Sequence, residues 1–386
     1  MKSGIRYYLL TVVACLPVLL LGSCAGRQPR EKREGAALLL PLEYSRNLRL
    51  YSHSDGWTEA EIVNPWDTTK LLQRVAMVPD SLDVIPLSVP EGSTIVRTPL
   101  GRSLVTTSMH LNLLSELGAE KSVAGVTDAE YIYLDYVREG IKNGSIVDCG
   151  ITATPTIERV ISLSSDGILI SPFESGGDYG KLVTLSTPII YTADYMEPDP
   201  LGRAEWMKYY GLLFGKEDAA DSLFSVVSSE FLAVKERISQ SFDKDDQKPS
   251  VLLDLPYQGV WYVCAGSSVN NMYISLAGGR NPFSALDGKT VAMAPERVLM
   301  EAGDADVWLV RCNNSGDMTL SSMLRDNPMA SQFKAFRHGD VYVADTGDGH
   351  YFEESPFHPE YLLGDIAEIL HPTGEHDMRY FSRMPE

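Results

Sequence analysis

The strongest constraint on the fold is a short phrase that occurs twice in the chain. Glu158–Ile161 (Glu-Arg-Val-Ile) is followed by Asp166, and Glu296–Leu299 (Glu-Arg-Val-Leu) is followed by Asp304. In each copy the glutamate opens an apolar helical pattern, and a short apolar run typical of a buried strand follows the aspartate. The repetition predicts two similar α/β lobes, each with one carboxylate in an equivalent place.

Size and charge limit the classes of protein that this chain can represent. Its 386 residues are enough for two domains, and 44% hydrophobic residues provide ample core. The formal net charge is −19. Because nucleic-acid binding requires clustered lysine and arginine, we expect no nucleic-acid partner.

The N-terminus has the pattern of a secretory signal peptide. Lys2 and Arg6 precede an apolar stretch over 7–21 that ends in Leu-Gly-Ser-Cys24. The stretch is shorter than the ~20 residues that a membrane-spanning helix needs. Leu-Gly-Ser-Cys resembles the bacterial lipobox, in which the cysteine is lipidated. We therefore expect a signal peptide over 1–23, lipid attachment at Cys24 and a tether over 24–43; the alternative is an ordinary signal peptide with a chance cysteine.

Cysteine and histidine patterns do not indicate a metal or a disulfide framework. After Cys15 and Cys24 are assigned to the leader and the anchor, Cys149, Cys264 and Cys312 remain, widely spaced and odd in number. No C-x-x-C or H-E-x-x-H motif is present, and the seven histidines lack close ligand spacing. The sequence predicts neither a resident metal nor a cofactor.

The order of helical and strand patterns suggests the domain organisation. Residues 44–93 carry a β-hairpin signal around Ser54-Asp55-Gly56 and a third strand near 71–78, which predicts an N-terminal β-hairpin extension. Alternating strands and helices predict an α/β N-terminal lobe over 94–198 and a C-terminal lobe over 248–386. Between them, 199–247 reads as connecting helices, including one long helix over 216–242.

Aromatic and polar residues occur where the predicted strands end. Ligands of open α/β sheets bind beyond the carboxyl ends of strands, and aromatic faces suit a large, flat ligand whose anionic groups arginine or histidine could meet. The alternative for each aromatic residue is a place in the core of its lobe. The candidate ligand-binding residues are His110, Tyr131, Phe173, Tyr257, Trp261, Arg311, His350 and Tyr351.

Glu158 and Glu296 each follow a nearby proline and are predicted to lie in the first turn of a helix. A carboxylate there is stabilised by the helix dipole by about 0.3–1 kcal/mol, which needs no function. As a matched pair within a repeated phrase, they are better explained as a docking device.

Several phrases resemble a known family. Thr156–Asp166, Pro295–Val298, Ser267–Met272 before Ala277-Gly278-Gly279, and the tail His358–Pro372 are similar to bacterial ABC-transporter substrate-binding proteins of the iron-complex and cobalamin type. The hairpin and Asn64-Pro65-Trp66 resemble the extension of Bacteroidetes members. The resemblance implies a class III periplasmic binding protein: two Rossmann-like lobes joined by one long rigid helix, with ligand held between them.

The resemblance also implies the partners. Glu158 and Glu296 would pair with arginines of an ABC permease dimer that works with its ATPase subunits, and we expect a monomer. The expected ligand is a metal chelate, either an iron complex (siderophore or haem) or, as the alternative, cobalamin. The expected location is the periplasm of a Gram-negative bacterium, anchored to a membrane through lipid.

Two other function classes compete with a binding protein. An enzyme on the bilobal fold would need a catalytic constellation, and the sequence contains no G-x-S-x-G or G-x-G-x-x-G motif. A surface receptor or adhesin is disfavoured because the stretch after Cys24 is basic rather than acidic. We therefore expect no enzymatic activity.

Overall fold

The computed structural model describes residues 36–38, 41–174, 180–241, 248–313, 316, 318–347 and 350–386. The expected signal peptide and Cys24 lie outside the described residues. None of the described helices is both long enough and apolar enough to cross a membrane.

A five-stranded sheet forms the extension. Its strands, in spatial order, are β1 (Ala36–Leu38), β2 (Leu48–His53), β3 (Thr58–Val63), β4 (Leu71–Pro79) and β5 (Thr94–Thr98). The predicted hairpin and third strand are confirmed as β2, β3 and β4. The sheet is larger than expected, since β1 comes from the segment expected to be a tether and β5 from the expected start of the N-terminal lobe. Both add to strand edges that would otherwise leave backbone groups unpaired.

Buried carboxylates and one amide fix the extension to the lobe beside it. The carboxylate of Glu197 accepts hydrogen bonds from the backbone of Arg46 and Asn47 and from Trp206 Nε1. Gln73 on β4 donates to Ile189 O (2.7 Å) and accepts from Tyr191 N (2.8 Å). The extension therefore has one fixed orientation on the body of the protein.

The N-terminal lobe is a parallel α/β sheet, as predicted. Its strands lie in the order β12 (Ile189–Tyr191), β11 (Gly167–Ile170), β6 (Ser103–Val105), β7 (Val123–Val126), β8 (Val147–Asp148). A two-stranded hairpin, β9 (Gly150–Ile151) and β10 (Thr154–Pro155), lies beside it. Its helices are α1 (Ser108–Glu116), α2 (Asp135–Asn143) and α3 (Ile157–Ser162). β11 is entirely buried, which is typical of a strand covered on both faces.

Three helices connect the lobes: α4 (Pro200–Glu205), α5 (Met207–Phe214) and α6 (Glu217–Ser241). Asp199 caps α4, accepting a hydrogen bond from Leu201 N at 2.8 Å, as Asp-Pro at a helix start predicts. The 25 residues of α6 span ~37 Å. Its Phe224 and Val227 belong to the core of the N-terminal lobe, and Phe231 and Ile238 belong to the core of the C-terminal lobe.

The C-terminal lobe has a mixed sheet. Its strands lie in the order β13 (Val251–Leu253), β16 (Val307–Cys312), β17 (Val341–Asp345), β18 (Phe381–Arg383), and only β18 is antiparallel to its neighbour. A separate two-stranded sheet consists of β14 (Trp261–Cys264) and β15 (Thr290–Met293), which pair antiparallel. The helices are α7 (Val269–Leu276), α8 (Pro295–Ala302), α9 (Leu320–Asp326), α10 (Lys334–His338), α11 (Tyr351–Glu354) and α12 (Pro359–Leu370).

The repeated phrase occupies equivalent places in the two lobes, with one correction. Asp166, just before β11, accepts a hydrogen bond from Gly101 N (2.8 Å) ahead of β6. Its counterpart in the C-terminal lobe is Asp306, just before β16, which accepts from Ser250 N (2.7 Å) ahead of β13. The repeated spacing predicts Asp304 as this counterpart, and that prediction is off by two residues because α8 has eight residues and α3 has six.

One histidine joins the two lobes electrostatically. His358, at the start of α12, lies 3.0 Å from the carboxylate of Glu116 on α1 and 2.7 Å from that of Glu360. Burial alone would lower the pKa of this imidazole, but the two carboxylates raise it to about 10. The charged imidazolium therefore links the last helix of one lobe to the first helix of the other.

We predict that this link weakens above neutral pH. Because the folded pKa of His358 lies above its ordinary value of 6.5, its contribution is complete below that pH and is lost as pH rises towards 10. The full contribution is roughly 3–5 kcal/mol in the free energy of unfolding. In urea unfolding from pH 7 to 10, His358→Gln should remove most of the pH dependence. His338→Gln, at an exposed histidine, should retain it, and equal slopes for both variants would contradict the prediction.

Candidate functional site

Loops that follow strands of the two lobes contact each other. The segment after β7 holds Tyr133, and Asn313 follows β16; Asn313 Nδ2 donates to Tyr133 Oη at 3.3 Å. A second contact joins Lys289 Nζ, just before β15, to Met196 Sδ at 3.5 Å. Burial and the nearby Arg203 lower the pKa of Lys289. The sequence analysis did not select Asn313, although its position directly after a strand could have identified it, nor Lys289, which has no such signal.

Three exposed aromatic side chains lie at the ends of strands or in the loops that follow them. Tyr131 lies in a turn after β7 and is 62% exposed, and Phe173 lies after β11 and is 56% exposed. Phe352, on α11 after β17, is 51% exposed and was not selected from the sequence. Exposed aromatic faces in these places suit a conjugated or flat ligand. Tyr131 and Phe173 therefore remain candidates, and Phe352 joins them.

The guanidinium of Arg311 is already paired with a carboxylate. At the end of β16, Arg311 Nε donates to Asp254 Oδ1 at 2.9 Å and Nη2 donates to Asp254 Oδ2, and its Cζ lies 5.9 Å from the ring centroid of Tyr351. Burial alone would lower the pKa of Arg311, but Tyr351 and Asp254 raise it. Arg311 thus lies at the expected strand end, but its charge is compensated within the protein.

Three of the expected ligand-binding residues are buried. His110 is fully buried: its Nε2 lies 2.7 Å from Tyr210 Oη and 3.1 Å from Asp194 Oδ1. Trp261 is also fully buried and stacks on Trp308 at 5.6 Å between ring centroids. Tyr351 is 4% exposed. Each is enclosed by the core or by buried polar partners, and its contact with a ligand stays a prediction.

The other two candidates, Tyr257 and His350, lie in loops that contain a residue with a left-handed backbone conformation. Tyr257 is 67% exposed between β13 and β14, next to Gln258 with φ +50°. His350 has φ +54° and precedes α11, and its Nδ1 is buried without a hydrogen-bond partner among the described residues. Backbone strain of this kind occurs at ligand-binding loops. Both residues stay predictions for ligand contact.

Glu158 and Glu296 occupy equivalent, exposed places. Each is the second residue of its helix, α3 or α8, and each is followed two positions later by a buried valine, Val160 or Val298. The neighbouring arginines point elsewhere: Arg159 donates to Asp148 O at 2.7 Å, and Arg297 pairs with Glu301 at 2.7 Å. Among the described residues, neither Glu158 nor Glu296 has an ion-pair partner.

A cavity of about 640 Å³ opens beside Glu296 in the C-terminal lobe. Leu255, Pro256 and Pro295 contribute to its wall, together with three methionines, Met318, Met323 and Met329. Methionine side chains are flexible and polarizable, so this wall can adapt to a partner side chain. Glu296 therefore combines a free carboxylate with an apolar recess.

The described residues contain no group of three or more histidine, cysteine, aspartate and glutamate side chains that could hold a metal ion. The cysteines that the structure describes, Cys149, Cys264 and Cys312, are all unpaired, and burial raises the pKa of each thiol.

We predict that Asp254→Asn leaves the Arg311 guanidinium without its charged partner. Since a partly buried charged group is then incompletely satisfied, the free energy of unfolding should fall by about 1–3 kcal/mol, measured by urea unfolding. Asp326→Asn removes a carboxylate from the fully exposed pair with Arg325 and should leave the free energy of unfolding nearly unchanged. Equal effects of the two substitutions would show that the Asp254–Arg311 pair contributes no more to the free energy of unfolding than an exposed surface pair does.

Comparisons with known proteins agree with this architecture. The family model for periplasmic binding proteins matches residues 105–346. An uncharacterized lipoprotein of Methanocaldococcus jannaschii is 26% identical over 358 residues, covering 86% of this chain and 82% of that protein.

Two solved structures share the fold at low sequence identity. A periplasmic heme binding protein from Pseudomonas aeruginosa has a TM-score of 0.57 at 17% identity, over 74% of this chain and 99% of that one. A periplasmic vitamin B12 binding protein of Vibrio cholerae has a TM-score of 0.52 at 12% identity, over 72% and 99%. Together with the family match, which spans more than half of the chain, they confirm the class III architecture of two lobes joined by a long helix. The chain belongs to the periplasmic binding protein family.

Proposed function

We propose that this protein captures an iron complex, a siderophore or haem, in the cleft between its lobes and delivers it to an ABC importer. Periplasmic binding proteins of this type work with a permease and its ATPase subunits. The observation that carries the proposal is the pair of exposed, unpaired carboxylates at equivalent helix starts, Glu158 and Glu296. Two equivalent carboxylates match a two-fold partner, and each can form charge-assisted bonds to an arginine.

The exposed aromatic residues and the paired arginine support the proposed ligand class. Tyr131, Phe173 and Phe352 offer exposed aromatic faces, whereas Arg311 is neutralised by Asp254. A ligand that binds mainly through a large conjugated or chelate surface fits better than a small anion. The heme binding protein of similar fold supports an iron complex, and the vitamin B12 binding protein of similar fold supports cobalamin as the second candidate.

The proposed location is the periplasmic side of a Gram-negative membrane, with the protein held there as a monomer by a lipid on Cys24. The lipobox-like Leu-Gly-Ser-Cys and the similar lipoprotein of Methanocaldococcus jannaschii support the anchor.

We predict that at least one metal chelate binds the purified mature protein with a dissociation constant below ~10 µM, which corresponds to about −7 kcal/mol. The measurement is quenching of tryptophan and tyrosine fluorescence on titration with haem, cobalamin and ferric siderophores. The metal-free porphyrin, the metal-free siderophore and inorganic iron serve as controls. If none of the three chelates binds below ~10 µM, the proposed function is wrong as stated.

We predict that the double variant Glu158→Gln/Glu296→Gln loses uptake while it retains ligand affinity, because the proposed role of both carboxylates is docking to the permease and not contact with the ligand. Uptake would be measured in cells that carry the cognate permease, and affinity by the same titration. Glu217→Gln is the matched control, since Glu217 is also an exposed carboxylate in a first helical turn. Weakened ligand binding in the double variant would assign the two glutamates to the ligand site instead.

A further inference from the structure

The extension exposes a cluster of aliphatic side chains. Val84, Ile85 and Leu87, in the connection between β4 and β5, are 79%, 43% and 105% exposed. We call these three residues the aliphatic tip. Scattered exposed aliphatic residues are ordinary, but three within four positions form a local apolar surface that calls for a partner.

The aliphatic tip is held firmly on both sides. Before it, Leu82 packs against the buried Trp57 and Val78, and Arg97 donates to Leu82 O at 2.6 Å. After it, Ser88 Oγ accepts a hydrogen bond from Trp57 Nε1 at 2.8 Å and donates to the carboxylate of Asp55. These contacts hold Leu82 and Ser88, on either side of the aliphatic tip, against the turn between β2 and β3. The three side chains of the tip between them are therefore kept in an exposed position.

The chain enters the folded body at the same end of the sheet. In the register of β1 with β2, Ala36 lies opposite His53, the last residue of β2. The turn that holds the aliphatic tip follows directly after His53. The stretch of about 12 residues from Cys24 to Gly35 can span at most ~40 Å. A lipid on Cys24 therefore keeps this end of the extension close to a membrane surface.

We propose that the aliphatic tip is a second membrane contact, which inserts into the headgroup region of the bilayer that holds the lipid anchor. The proposal rests on the lipid anchoring stated under the proposed function. Three aliphatic side chains alone bind a bilayer weakly, but a tether raises the effective concentration of the membrane at the tip. Two weak signals acting together are the usual way to hold a protein at a membrane in a defined orientation.

The charges around the tip indicate the lipid. Asp55, Asp80, Asp83 and Glu91 are exposed in or beside the same segment. Anionic headgroups would be repelled by these carboxylates over roughly a Debye length, about 8–10 Å. The contact therefore favours bilayers with zwitterionic headgroups.

The test places an environment-sensitive fluorophore on the tip. Cys312→Ser removes the half-buried thiol, and Leu87→Cys then introduces a labelling site. Val226→Cys, at an aliphatic residue of α6 that is 54% exposed, is the matched control. Acylated protein is reconstituted into phosphatidylcholine vesicles, with or without bromine on the acyl chains. A parallel sample lacks Cys24 and is held on nickel-chelating lipid through an N-terminal histidine tag.

We expect the label at position 87 to become roughly twofold brighter on vesicles and to lose about half of that signal with brominated chains, while the label at 226 changes little. Replacing phosphatidylcholine by phosphatidylglycerol should reduce the effect at low salt. With Val84→Ser and Ile85→Ser added, the signal at 87 should fall to the level of the control.

Three results would overturn the proposal: equal signals at 87 and 226, a change at 87 that depends on protein concentration without vesicles, or a change that requires the permease. The last two would assign the tip to a second copy or to the permease. The sample that lacks Cys24 and is held by its histidine tag measures insertion of the tip without any acylation of the protein. A failure of the lipid anchor itself would instead appear as an unchanged mass and an unchanged membrane fraction of the Cys24→Ala variant.

Discussion

A single helix that belongs to two hydrophobic cores governs the mechanics of this molecule. Phe224 and Val227 of α6 are buried in the N-terminal lobe, and Phe231 and Ile238 in the C-terminal lobe. Burying each such side chain stabilises the fold by about 1.5–3 kcal/mol. Bending α6 widely would pull one end out of its core, so the lobes can tilt only slightly. A wide movement of the lobes would therefore expose side chains of α6 that are now buried.

Polar contacts between the lobes support the same geometry. His358 bridges carboxylates of α1 and α12, and α11 packs against α1 close to this bridge. The imidazolium lies between carboxylates of both lobes. Its charged state is therefore stabilised only while the two lobes keep this relative position. The connection between the lobes thus combines an apolar element, α6, with an ionic one, the His358 bridge, whose charge depends on pH.

Much of the fold could be predicted from periodicity alone. The long apolar pattern over 216–242 corresponds to α6, and the Glu-Arg-Val phrases correspond to the starts of α3 and α8. Sequence spacing gave the wrong equivalent residue where the two helices differ in length. The residue of the C-terminal lobe that is equivalent to Asp166 is Asp306, two residues beyond Asp304. The two outer strands of the extension, β1 and β5, were also not predicted to belong to its sheet. Neither sequence indicates which strand it will pair with.

The candidate site was harder to predict for a physical reason. A polar or aromatic residue near a strand end can face the cleft or turn back into its lobe, and sequence does not distinguish the two. Tyr131 and Phe173 face outward, whereas His110 and Trp261 complete buried clusters. The partner of Arg311 was equally hidden, because Asp254 is far away in the sequence and meets it only when β13 and β16 lie side by side.

That pairing has a consequence for selectivity among solutes. Asp254 acts as a built-in competitor: any free anion that approaches Arg311 must displace a carboxylate that is covalently part of the protein and bound through two hydrogen bonds. On the proposed function, a small anion such as phosphate or sulfate would bring no extra surface to offset that exchange. A bulky chelate held by exposed aromatic rings would not need to break the pair. The Asp254 carboxylate would then favour large solutes over small anions at this strand end.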